Sequence, residues 1–81
     1  MIKYKLKKME NRKKEILEKI EECENRRKRS EYGMVNSIIQ NKPVDSEDVK
    51  YFNQYTSQIE IYREELRELT EAFEELKGNT K

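Results

Sequence analysis

Histidine and tryptophan are absent from this chain of 81 residues, cysteine and proline occur once each, and there are two glycines. Without histidine there is no imidazole base for a Ser-His-Asp or Cys-His centre and no imidazole ligand for zinc. A single cysteine, Cys23, rules out an intrachain disulfide and a Cys-rich metal site, and a lone thiol fits a reducing compartment best. Two glycines, Gly33 and Gly78, stand far apart, so no glycine-rich phosphate loop can form. No apolar run approaches the ~18 residues of a membrane span. The basic start, Met1 to Lys8, is followed by no apolar stretch of the signal-peptide kind. The chain is therefore expected to be cytoplasmic.

Carboxylates are abundant, but their pattern does not suit catalysis. Adjacent pairs such as Glu21–Glu22, Glu64–Glu65 and Glu74–Glu75 project to different sides of a helix. The Glu-x-x-His signature of di-metal helical bundles is missing. These gaps lead to the expectation that the protein is not an enzyme and takes no cofactor, metal ion or small-molecule substrate.

What is present is charge and helix-forming residues. Hydrophobic residues make up 33% and charged residues 43% of the chain, against ~45–50% and ~25% in ordinary domains. Such a chain cannot fill a broad core, but it can fill a narrow seam between helices. The second half shows that seam most clearly. Phe52, Tyr55, Ile59, Tyr62, Leu66, Leu69, Phe73 and Leu76 alternate spacings of three and four, a heptad stripe on one side of a helix. Asp45 or Ser46 can cap its start, Glu47 and Asp48 complement the positive helix end, and Gly78 suits its finish. In the first half, Ile2, Leu6, Met9, Lys13, Ile16, Ile20, Cys23, Arg27, Ser30 and Met34 keep the same rhythm with polar interruptions. Gly33 leaves open whether this helix runs unbroken.

Asn41 to Asp45, with Pro43 in the middle, is the only strong turn signal. The expected fold is all-α: an antiparallel two-helix coiled-coil hairpin with helices at about 3–40 and 46–77, forming one domain over 1–81. Folding about Pro43 matches Met34 with Phe52, Arg27 with Ile59, Cys23 with Tyr62, Ile20 with Leu66 and Ile16 with Leu69, and at the turn Ile38 with Val49. Charge agrees with an antiparallel arrangement. Residues 1–40 carry 12 Lys/Arg and 7 Asp/Glu, residues 41–81 carry 6 and 10, and the whole chain is +1. The basic stretch Lys3 to Lys14 then lies beside the acidic stretch Glu64 to Glu75.

Several apolar residues do not fit the seam. Tyr32, Val35, Ile39, Tyr51 and Ile61 are candidate partner-binding residues, because apolar side chains on a second helix face imply a second contact. The leading expectation is a non-catalytic protein–protein interaction module, a small accessory or regulatory protein that associates through coiled-coil contacts. Its partners would include itself, two hairpins forming a four-helix bundle. The rival is nucleic-acid binding through the basic first helix, with Arg26, Arg27, Lys28 and Arg29 as phosphate contacts. The alternative for that cluster is a solvated helix face, with Arg27 lying on Tyr55 and Tyr62.

The acidic tip, Asp45 to Asp48, resembles in architecture the hairpin tips of transcript-cleavage factors that reach into RNA polymerase. The family's second domain has no counterpart in this sequence, and helix capping accounts for the same acids. The spaced apolar residues from Val49 to Leu69 resemble the coiled-coil stalk proteins of flagellar and type III export machines, in a pattern any heptad shares.

Overall fold

A computed structural model describes residues 2–78. Two α-helices account for nearly all of them: α1, Ile2–Ile39, and α2, Ser46–Gly78. They fold back on each other into an antiparallel hairpin of 62 × 16 × 14 Å. α1 is unbroken through Gly33.

The connection is built from two caps. Asn41 adopts φ 56°, the left-handed conformation that asparagine tolerates better than most residues. The Lys42 amide then donates to the Ser37 carbonyl at 2.9 Å and the Asn41 amide to the Ile38 carbonyl at 3.0 Å. These are the two bonds of a Schellman ending, so the chain stops being helical before Pro43. On the other side, the Glu47 amide donates to Asp45 Oδ1 at 2.9 Å and the Val49 amide to the Asp45 carbonyl at 3.3 Å. Of the two capping candidates, Asp45 is the N-cap. Glu47 and Asp48 place negative charge in the first turn of α2, where the helix dipole favours it.

Burial follows the heptad pattern. Ile16, Ile20, Cys23 and Ile59 form the buried cluster, with Tyr55, Tyr62, Leu66 and Leu69 packed on it. Every seam position of α2 from Phe52 to Leu76 is at least half-buried. In α1 the same holds from Leu6 to Met34, and only Ile2 stays exposed. Among the described residues, Ile16 and Ile59 alone are sealed from solvent, at 0% and 1%.

The register differs from one centred on Pro43. Cys23 Sγ donates to Gln58 Oε1 at 3.4 Å, Arg27 Nη1 donates to Thr56 Oγ1 at 3.4 Å, and Gly33 abuts Asp48. These pairs are centred close to Asn41, which moves each α1 residue by about one turn along α2. The cause is the asymmetric connection: α1 ends at Ile39 and is closed off by the turn at Asn41, and residues 42–45 lead into α2 as a non-helical approach. Ile38 and Val49 do not form a buried layer. Both are exposed.

Candidate functional site

With Ile16, Cys23 and Ser30 at d and Ile20 and Arg27 at a, the other heptad positions fall on two flanks and two backs. In α2, Phe52 and Ile59 occupy a, Tyr55 and Tyr62 occupy d. The contacts agree with this lettering. On one flank Arg12 reaches across to Glu65, Nη2 to Oε1 at 2.5 Å, and Cys23 meets Gln58. On the opposite flank Glu24 faces Arg63 at 3.9 Å and Arg27 meets Thr56.

The five partner-surface candidates are all exposed, but they do not form one patch. Tyr32, Val35 and Ile39 are 76%, 48% and 75% exposed, and their spacing of three and four puts them on one face of α1. Ile38 and Val49 extend this group on the Glu24–Arg63 side, and both are exposed. Ile61 lies on the back of α2, away from that group. Tyr51 lies on the Arg12–Glu65 side, in a groove with Arg26, Arg29, Ser30, Asp48 and Tyr55. The reason is geometric. Tyr32, Val35 and Ile39 occupy heptad positions f, b and f, whereas Tyr51 is at g and Ile61 at c.

The basic cluster divides in the same way, because four consecutive helical residues point in four directions. Arg27 turns into the seam, bonding Thr56 and covering the Phe52 ring at 5.7 Å. The cation–ring contact of Arg27 thus falls on Phe52 and not on the expected Tyr55 or Tyr62. Arg26 pairs with Glu22 at 2.7 Å. Lys28 is exposed on the other side of the helix from Arg26. Arg26 and Arg29, three residues apart, share the groove with Tyr51.

That groove encloses about 520 Å³. Tyr51 stacks on Tyr55 with ring centroids 6.3 Å apart and 22° between planes. A second, smaller depression between Lys5, Lys8, Met9, Arg12 and Leu69 lies on the same flank near the open end. There Arg12 is already engaged, bonding Glu65 and Glu15, and the hydrogen bond to Glu65 is the main reason its guanidinium is held above the usual value. On α2, Arg67 bonds Glu64 and Glu71. Its hydrogen bond to Glu64 pulls that carboxyl below the ordinary carboxylate range.

Among the described residues, no group of three or more Cys, Asp and Glu could hold a metal ion, and no helix is long and apolar enough to cross a membrane. Compared with known protein families, with curated proteins and with solved structures, the chain matches none.

Proposed function

We propose that the hairpin is a non-catalytic interaction module whose partner is a second copy of itself. The carrying observation is the apolar group Tyr32, Val35, Ile38, Ile39 and Val49 beside the turn, exposed and outside the inter-helix seam. A seam that, among the described residues, seals only Ile16 and Ile59 gives the hairpin little stability of its own, and covering this group would add to it.

Charge favours a copy over an arbitrary partner. α1 belongs to the half with 12 Lys/Arg and 7 Asp/Glu, α2 to the half with 6 and 10. A two-fold axis through the apolar group lets the α1 of each copy approach the α2 of the other, basic against acidic. The product is a four-helix bundle. Its single thiol, Cys23, is unpaired and buried, which suits the reducing cytoplasm.

The test is sedimentation equilibrium from about 5 to 500 µM, since mass action makes a dimer concentration-dependent. The expected limit is twice 9.9 kDa. Val35→Asp with Ile39→Asp should hold the protein at the single-chain mass with its helicity intact. A strict monomer throughout rejects the proposal, as does a dimer indifferent to those two substitutions.

A further inference from the structure

The groove beside Tyr51 is chemically unlike the apolar group and lies on the other side of the hairpin. It holds two cations, two stacked aromatic rings and one carboxylate, from Arg26, Arg29, Tyr51, Tyr55 and Asp48. The seam does not require this combination. Arg29 forms no ion pair within 4 Å among the described residues, whereas Arg26 is half-committed to Glu22. Tyr51 is 43% exposed and is backed by the half-buried Tyr55, so its outer surface is free and its ring orientation is supported. Asp48 enters the groove because Gly33 has no side chain: an ideal Cβ there would stand 2.5 Å from Asp48 Oδ2.

Each element has a complement in the same class of ligand. A planar heterocycle stacks on a supported tyrosine. A phosphate is drawn to the paired guanidinium groups, which offer planar fork-shaped donors. A carboxylate accepts hydrogen bonds from the amino edge of a base, as Asp does from cytosine. Asp48 repels phosphate, which orients the ligand: phosphate toward Arg26 and Arg29, amino edge toward Asp48. An acidic peptide would satisfy the arginines but leave the tyrosine face and Asp48 without partners.

We propose that this groove binds a nucleobase-phosphate unit whose base bears an exocyclic amino group, supplied by a free nucleotide or by a single strand of nucleic acid. The sequence cluster at 26–29 thus contributes only its two residues on one face, Arg26 and Arg29. This site is separate from the apolar group of the proposed self-association, so either can fail without the other.

The test titrates isotope-labelled protein with GMP and CMP, and measures anisotropy of a labelled C-rich single strand at about 50 mM salt, where phosphate contacts are strongest. Resonances of Arg29, Tyr51 and Asp48 should shift, and those of Lys5 and Met9 should not. Arg26→Ala with Arg29→Ala should weaken strand binding and reduce the slope of log K against log salt by about 0.7, the share of the one single-strand phosphate the pair holds. Tyr51→Leu, which keeps bulk but loses the ring, should weaken it by roughly ten-fold, and Tyr51→Phe should leave it unchanged. Asp48→Asn should erase the preference for C over U. Circular dichroism verifies that each variant is folded. Shifts with nucleotide alone identify the free ligand, and strand binding alone identifies the polymer. No response to either overturns the proposal, as does equal binding by the Tyr51→Leu variant or by the double arginine variant.

Discussion

Gly33 sits in the middle of a continuous helix, where glycine costs about 1 kcal/mol relative to alanine. The structure shows what opposes the obvious improvement. A Cβ at position 33 would lie 2.5 Å from Asp48 Oδ2, 2.9 Å from its Cγ and 3.1 Å from its Oδ1. All three atoms are too close, so the whole carboxylate must swing aside. Displacing it from its rotamer costs about 0.5–1.5 kcal/mol, and its attraction to the α2 N-terminus is worth a further ~0.3–1 kcal/mol. Gly33→Ala alone should therefore run from nearly neutral to destabilising by about 1.5 kcal/mol, because a displacement cost of about 0.8–2.5 kcal/mol opposes a gain of about 1 kcal/mol. In an Asp48→Ala background the displacement cost disappears, and the same substitution should stabilise by about 1 kcal/mol, or roughly 4–8 °C for a domain of this size. The assay is urea and thermal unfolding followed by helical circular dichroism, on four proteins at one concentration. A coupling of about 0.8–2.5 kcal/mol, equal to that displacement cost, stands clear of the ~0.3–0.5 kcal/mol within which independent sites add. Additive effects would show that Asp48 does not rest on Gly33 and that α1 and α2 are not in this register near the turn.

Ile59→Ala or Ile16→Ala should cost about 2–5 kcal/mol and abolish cooperative melting, because these are the two sealed apolar side chains among the described residues; a shift of a degree or two would mean the seam is not the core. Ile39→Asp should weaken self-association while Tyr51→Asp leaves it intact, since the two residues lie on different sides of the hairpin; equal loss by sedimentation would contradict that separation. Stability should decline as pH falls from neutral through the carboxylate range. Glu64 has its folded value depressed by Arg67, so its contribution is present above the unfolded value and lost as pH falls through the folded one. Glu64→Gln should flatten part of the decline in melting temperature, and an identical slope in the variant would refute that share.

The α2 seam was legible because eight apolar residues hold an unbroken spacing from Phe52 to Leu76 and nothing polar competes with it. The α1 seam was legible despite Lys13 and Arg27, because long side chains can lay their stems in a seam and carry charge out. Lys13 Nζ does so 5.3 Å from the Phe73 ring centroid. The register was misplaced because Pro43 marks where helix cannot continue, whereas the stop itself is the left-handed Asn41 with its two cap bonds. Nothing in an Asn-Lys-Pro tripeptide distinguishes those positions without the backbone. The division of the candidate surface is different in kind. Heptad lettering applied to Tyr51 and Ile61 would have placed them apart from Tyr32, Val35 and Ile39, and the same lettering would have separated Arg27 from Arg26 and Arg29. The groove could not be read in advance, because it depends on Gly33 admitting Asp48 from the other helix and so on the register.

Nuclear Overhauser contacts within a single chain test the hairpin and its register together, in a sample mixing labelled with unlabelled protein so that contacts between copies are filtered out. The structure predicts intrachain contacts from Gly33 to Asp48, from Arg27 to Thr56 and from Cys23 to Gln58. Contacts from Gly33 to Asn53 instead would restore a reversal centred on Pro43. Finding all three pairs only between chains would show two extended helices from separate molecules, and the hairpin account would be wrong.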